Sequence, residues 1–241
     1  MNSKALFMMI PAVFSLIGAG CNSSGASNAG AATVNSMSNP TQGAAAITGT
    51  SMGSSCKSGD PTQVCLGLKY VVYKSTKGQD VVSSENVVKV IEEVNQIWKQ
   101  CSIAFQVDEY IPAQVESYKL NFSPANNAEL EDIRKAFQDN DTLLVTTTGK
   151  WDRSGSLGNT GANAWASMPG ELLYGVVLES TVGTFSNIIA HELGHYLNLD
   201  HEGDTSNLLS AIIGDYSKKL TQSQCAQAHA TISKYWQRMV R

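Results

Sequence analysis

Residues 191–201 read HELGHYLNLDH, and this run constrains the chain more than any other. An α-helix turns about 100° and rises about 1.5 Å per residue, so His191 and His195 would lie one turn apart on one face of a helix. Two imidazoles in that position can hold one metal ion, and Glu192 would lie beside them. If the helix continued, the side chain of His201 would point about 240° away from this face. The chain must therefore leave the helix before His201.

Asn198 lies halfway between the second and third histidines, and asparagine tolerates the left-handed backbone that such a break needs. His201 can then complete a three-histidine site whose fourth position is open, as in catalytic rather than structural zinc sites. We therefore predict one zinc ion held by His191, His195 and His201, with Glu192 as the base that accepts a proton from water. The alternative is that these are ordinary histidines of an amphipathic helix and that the spacing arose by chance.

The first 21 residues have the features of an export signal. Lys4 precedes an apolar run from residue 5 to residue 17, and small residues precede Cys21. The apolar run is too short for a comfortable membrane span. Residues 16–21, LIGAGC, resemble a bacterial lipoprotein box, in which the cysteine is lipidated and becomes the new N-terminus. We expect anchoring to the outer membrane or cell surface through Cys21; ordinary cleavage and secretion is the alternative, because Gly18 stands where the box prefers leucine.

Residues 22–55 are rich in Ser, Gly, Ala and Asn and contain no charged residue. A segment of this composition cannot bury enough surface to offset its ordering entropy, so a flexible tether is predicted. Residues 56–241 then form one catalytic domain, expected to act as a monomer. The net charge of −4 is mild, and no basic run indicates nucleic-acid binding.

Four cysteines follow Cys21, and an even number in an exported protein predicts two disulfides, for which three connectivities exist. The favoured pairing joins Cys56 to Cys65 across a short loop and Cys101 to Cys225 between the ends of two helices. In a functional alternative, the thiolate of Cys56 ligates the zinc in a latent form.

Hydrophobic periodicity and punctuation by Gly and Pro predict an α/β domain. Strands are predicted at residues 66–73, 103–111 (ended by Pro112), 143–147, 162–168 and 172–178. Helices are predicted from a cap at Ser83 or Ser84 to about Gln100, within 126–139, from a cap at Thr184 or Ser186 through the zinc motif, and after the capping-box pair Thr221 and Gln224.

The motif at 191–201 resembles the HExxHxxGxxH of the metzincin clan of zinc endopeptidases, and the order of predicted elements is similar to that clan's. Residues 204–210, followed by residues 220–224, resemble the connection to the terminal helix in matrixin-like and pappalysin-like members. The resemblance implies a twisted mixed sheet with an antiparallel edge strand, two main helices on it, a zinc cleft and a small C-terminal subdomain with the terminal helix. It also implies that protein or peptide substrates lie extended along the edge strand, and that Leu197 and residues 211–216 wall a specificity pocket.

Two positions depart from the clan's pattern. Asn198 replaces a glycine, and Leu209 replaces the methionine of the turn beneath the zinc; leucine has a similar volume, so an apolar floor is still expected. Residues 149–170 contain no histidine and a single aspartate, so the second, structural zinc of matrixins is not predicted. Calcium is an unsupported option at three acids that we interpret as solvated surface groups, Asp152, Asp200 and Asp204.

The predicted function is therefore a surface-anchored zinc endopeptidase. One rival is a lipoprotein that binds zinc or a partner without cleaving it. Glu192 argues against this, because a pure binding site needs no carboxylate there. A second rival is a metal-dependent hydrolase of non-peptide substrates, against which the order of the elements argues.

Overall fold

A computed structural model describes Cys56, residues 62–170 and residues 173–241. The predicted export signal at 1–21, with Cys21, and the predicted tether at 22–55 lie outside the described residues and stay predictions. Among the described residues, no helix combines the length and the apolar character needed to cross a membrane.

The domain is built on a five-stranded sheet in the order β2-β1-β3-β5-β4. All neighbouring pairs are parallel except β4 with β5, which is antiparallel. This confirms the expected mixed sheet with an antiparallel edge strand. The strands are β1 (Val64–Tyr73), β2 (Ile103–Ala113), β3 (Leu143–Thr147), β4 (Ala164–Ala166) and β5 (Val176–Leu178).

In the described residues, four α-helices accompany the sheet: α1 (Ser84–Trp98), α2 (Asn127–Phe137), α3 (Ser186–Tyr196) and α4 (Gln222–Tyr235). Helices α1, α3 and α4 pack in the core on one face of the sheet, and α2 packs on the other face. Both faces are thus covered, which explains why every residue of the central strand β3 is apolar or β-branched and buried. The apolar stripe predicted for α2 is buried against the sheet, through Leu130, Ile133 and Phe137.

Three details of the predicted elements were wrong. Pro112 lies inside β2 and does not end it, because β2 is an edge strand and one of its sides needs no N–H donor. The predicted strands at 162–168 and 172–178 shorten to β4 and β5. Neither Thr184 nor Ser186 caps α3; the N-cap residue is Phe185, and no side chain caps the helix.

Helix α3 is held near its middle and at its C-terminal end by indole N–H groups. Trp98 of α1 donates to the carbonyl of Ala190 at 3.2 Å, and Trp236, after α4, donates to the carbonyl of Tyr196 at 2.8 Å. Both indoles are buried, so each hydrogen bond is formed away from water and fixes the position of α3.

The favoured disulfide pairing is confirmed: Cys56 is bonded to Cys65 and Cys101 to Cys225. The alternative role of Cys56 as a latent zinc ligand is therefore wrong, since its sulfur has no thiolate to offer. The second bond ties the end of α1 to α4, whose start carries the predicted capping box of Thr221 and Gln224.

Candidate active site

The predicted break after α3 is present. The helix ends at Tyr196, and Asn198 adopts the left-handed conformation with φ of 63°. The amide of Leu199 donates back to the carbonyl of Gly194 at 3.0 Å, which closes the helix end. The chain then reverses and returns His201 to the face that carries His191 and His195.

The three histidines meet. One ring nitrogen from each of His191, His195 and His201 lies within 4.8 Å of the other two. Within the part of the chain that the structure describes, this is the one group of three or more His, Cys, Asp or Glu side chains able to share a metal ion. His229, the fourth histidine, lies elsewhere on α4 and donates to the carbonyl of Cys101 at 2.7 Å.

Backbone carbonyls fix which ring nitrogens face the centre. Nδ1 of His191 lies 2.7 Å from the carbonyl oxygen of Leu208, and Nδ1 of His195 lies 2.8 Å from that of Leu199. A carbonyl oxygen only accepts hydrogen bonds, so both Nδ1 atoms carry the proton in the neutral rings. Both Nε2 atoms therefore present lone pairs.

These two Nε2 atoms face each other at 3.1 Å. Two lone pairs at that distance repel unless a cation lies between them. Two nitrogens bound tetrahedrally to zinc at about 2.0–2.1 Å would be about 3.3 Å apart, close to the observed separation. The donor set of three imidazoles and the fixed tautomers thus fit a zinc ion.

Burial keeps the rings of His191 and His195 neutral. Desolvation lowers the pKa of His191 to about 4, with a partial opposing effect from its hydrogen bond to Leu208. Desolvation also lowers the pKa of His195, again opposed by the hydrogen bond to Leu199. At neutral pH both lone pairs are accordingly available for a metal.

The turn below the histidines is braced by α4. Oδ1 of Asn207 accepts from the amide of Leu209 at 2.8 Å, while its amide group exchanges hydrogen bonds with the side chain of Gln224 at 2.9 and 3.1 Å. This fixes the carbonyl of Leu208 that orients His191. Leu209 itself is fully buried, so the expected apolar floor is present.

Glu192 is 6% exposed and lies between α3 and the edge strand β4. Desolvation raises the pKa of its carboxyl group to about 8, while a hydrogen bond from the backbone N–H of Ala166 and the positive charge of Arg134 act in the opposite direction. The carboxylate is thus fixed on the strand along which the resemblance places a substrate.

Sequence reasoning missed the partners that orient the site. The carbonyls of Leu199 and Leu208 and the N–H of Ala166 are backbone groups, which every residue type carries, so no residue pattern could have revealed them. For the Asn207–Gln224 pair the sequence held a partial signal, because Gln224 was predicted as part of the capping box of α4. Its hydrogen bonds to Asn207 were not predicted.

The expected specificity pocket is only partly supported. Leu197 is fully buried in the main core, so it does not line an open pocket, whereas Ile212 and Tyr216 are 74% and 63% exposed. Of the three acids considered for calcium, two accept hydrogen bonds from neighbouring groups and one is exposed. Asp152 accepts from the amide of Ser154, Asp204 accepts from Ser206, and Asp200 is exposed.

Residues 84–202 match the model of the reprolysin-like metallopeptidases of family M12B. Over these residues the chain is similar to that family. The match begins at the first residue of α1 and ends just after His201, so the matched segment includes all three histidines and Glu192. The metzincin resemblance of the zinc motif is thereby confirmed.

The solved structures that are similar to this chain include the following two. Metalloproteinase-II from Bacteroides fragilis is 13% identical with a TM-score of 0.47; the match covers 73% of this chain, which spans 60% of the length of that one. Archaemetzincin from Methanopyrus kandleri is 12% identical with a TM-score of 0.47, covering 72% of this chain and 97% of that one. No curated protein sequence matches the chain.

Proposed function

We propose that the protein is a zinc endopeptidase in which His191, His195 and His201 hold the metal and Glu192 is the general base. The observation that carries this proposal is the arrangement of three side chains on one helix. The Nε2 lone pairs of His191 and His195 face each other at 3.1 Å, and the buried carboxyl group of Glu192 directly follows His191 in the chain. A site that only stored zinc would gain nothing from burying an acid beside it, because burial of a charge is costly.

When bound, zinc supplies Lewis acidity, which activates water and polarises a scissile carbonyl. The chain's own groups perform the proton transfers. The Glu192 carboxylate accepts the proton of the attacking water and then donates it to the leaving nitrogen. Without metal, burial raises the pKa of this carboxyl group to about 8; the charge of a bound zinc ion would favour the carboxylate form that accepts the proton.

We propose that the substrate is an extended peptide segment that pairs with β4. This strand has β5 on one side and ends the sheet on the other, and its N–H group at Ala166 reaches Glu192. An extended peptide added there through main-chain hydrogen bonds would bring its backbone beside the base. The exposed Ile212 and Tyr216 lie on the segment that would contact its side chains.

The test uses the full chain with its disulfides formed, an unfolded protein as substrate, and analysis of bound metal. We expect one zinc per chain and cleavage within the substrate that stops with a chelator and returns with zinc. Glu192→Gln should keep the metal and lose about two to four orders of magnitude in rate. Zinc binding without cleavage would support the rival of a zinc-binding lipoprotein, and an unchanged rate in Glu192→Gln would exclude this base.

We propose further that the protein is exported and anchored by a lipid on Cys21. Two disulfides within the domain support an oxidising compartment outside the cytoplasm. The test is incorporation of a labelled fatty acid by the parent and by Cys21→Ser. A label that persists in the variant, or a parent that takes up none, would contradict the anchor.

A further inference from the structure

Arg134 is a buried cation close to the base. It belongs to α2, is 4% exposed, and is the basic side chain whose charge acts on Glu192. Helix α2 packs on the face of the sheet opposite to α3, which carries Glu192. The two side chains approach the same short strand, β4, from different elements.

The guanidinium of Arg134 spans two strands. Its Nε donates to the carbonyl of Gly175 at 2.9 Å, and its Nη2 donates to the carbonyl of Trp165 at 3.0 Å. Gly175 directly precedes Val176, the partner of Ala166 in the β4–β5 pairing. A Cβ atom on Gly175 would lie 3.1 Å from Cγ of Arg134, so the glycine leaves room for the arginine stem.

The carbonyl of Trp165 and the N–H of Ala166 belong to one peptide group. No described peptide bond is cis, so this C=O and this N–H point in opposite directions from one plane. Arg134 holds the carbonyl, and the N–H donates to the carboxylate of Glu192. A chain of two hydrogen bonds therefore runs from the guanidinium through the peptide to the base, and bonds in such a chain polarise one another.

We propose that Arg134 is a positioning residue for Glu192: by fixing the Trp165–Ala166 peptide group, it fixes the direction from which the Ala166 N–H holds the carboxylate. This rests on the proposed role of Glu192 as general base. Lysine could not replace Arg134 fully, because an ammonium lacks the planar fork that reaches both carbonyls.

Arg153 provides a matched control, because it holds the chain just before the same strand. It donates to the carbonyl of Ala162 at 2.8 Å and to the side chain of Asn163 at 2.6 Å, and it is ion-paired with buried Glu179. It thus anchors the chain just before β4 without touching the Trp165–Ala166 peptide. If Arg134→Met lost activity only because the edge strand became looser, Arg153→Met would lose activity as well.

The kinetic test compares Arg134→Met and Arg153→Met in the full zinc-loaded chain. Arg134→Met should keep one zinc per chain and a KM within about threefold of the parent, while kcat falls about 10- to 100-fold, the scale of a misplaced catalytic group. Arg153→Met should change KM more than kcat. Equal kcat losses in the two variants would overturn the inference. If Arg134→Met does not fold, Arg134→Lys, which keeps the charge and loses the fork, should show the same pattern with a smaller loss of kcat.

A second readout needs no activity. Arg134→Met should lower the thermal midpoint of the parent by about 2–4 °C more than it lowers that of Glu192→Ala, because the hydrogen-bond acceptor at the end of the chain of hydrogen bonds is already gone there. Arg153→Met should lower both midpoints equally. Equal shifts for Arg134→Met in the two backgrounds would overturn the inference. If the parent cleaves nothing, the proposed function fails, and the thermal comparison still decides whether Arg134 and Glu192 are coupled.

Discussion

Leu209 lies directly against Gly194, the residue before the second histidine. A Cβ atom built on Gly194 would be 3.0 Å from Cδ2 of Leu209 and 3.2 Å from its Cδ1. The turn that carries Leu209 is therefore in close contact with helix α3, and this contact is possible because Gly194 has no side chain. The leucine that departs from the clan's methionine still packs beneath the histidines.

This contact predicts that Leu209→Met is tolerated. The side chain keeps its volume and apolar character, so the free energy of unfolding should change by less than about 1.5 kcal/mol. Leu209→Ala should lower it by about 2–5 kcal/mol, because it leaves a cavity under α3. Denaturant unfolding of the two variants and the parent measures both values. A Leu209→Ala variant as stable as the parent would mean that the floor is not packed as described.

Metal analysis of histidine variants should distinguish the three proposed zinc ligands from His229. His201→Ala removes one of the three converging nitrogens and should reduce the zinc content from one per chain to a small fraction. His229→Ala, on α4, should keep its zinc. A chelator should lower the thermal midpoint of the parent, which binds zinc in its folded state, but leave that of His201→Ala unchanged. Full zinc in His201→Ala would exclude it as a ligand.

The left-handed backbone at Asn198 predicts the order of stability of variants at this position. With φ of 63°, Asn198→Ala should cost about 1 kcal/mol of unfolding free energy, and Asn198→Val more, since side chains branched at Cβ fit this conformation worst. Asn198→Gly should be close to neutral or slightly stabilising, because glycine adopts the conformation freely. Zinc content should follow the same order. An alanine variant as stable as the glycine variant would contradict the helix break.

The metal-free protein should lose stability as the pH rises from about 6.5 to 8. The carboxyl of Glu192 has a folded pKa of about 8, raised by burial, so unfolding releases its proton and becomes more favourable with rising pH until that value is passed. His191 acts in the opposite direction, because its folded pKa of about 4 lies below the unfolded value, but its effect is confined to lower pH, below about 6.5. The net loss should be on the order of 1 kcal/mol.

The measurement is the free energy of unfolding with chelator present at several pH values. Glu192→Gln should show a flat or slightly rising profile over the same window, since the titrating group has been removed. A parent profile that rises from pH 6.5 to 8 would place the pKa of Glu192 near its ordinary value.

Much of the site could be predicted from one short segment. A helix places His191 and His195 together whatever surrounds it, and Asn198 provides the break that returns His201. The central strand β3 could also be predicted, because burial of both its faces makes all its residues apolar or β-branched. The apolar stripe of α2 could be predicted because burial of one helix face repeats apolar residues at helical spacing. The cap of α3 was mispredicted because burial among Trp98, Trp236 and the sheet holds that helix without a polar cap.

The sequence by itself thus determined the three histidines, the neighbouring acid and the order of the elements, because these depend on side-chain identity and on local helical geometry. The tertiary structure alone decided how they are oriented. The carbonyl of Leu208 selects the tautomer of His191, and the peptide group held by Arg134 carries the N–H that fixes Glu192. These partners are backbone groups or come from distant elements, and a backbone N–H or C=O is the same at nearly every residue, so its role is set by where the fold brings it.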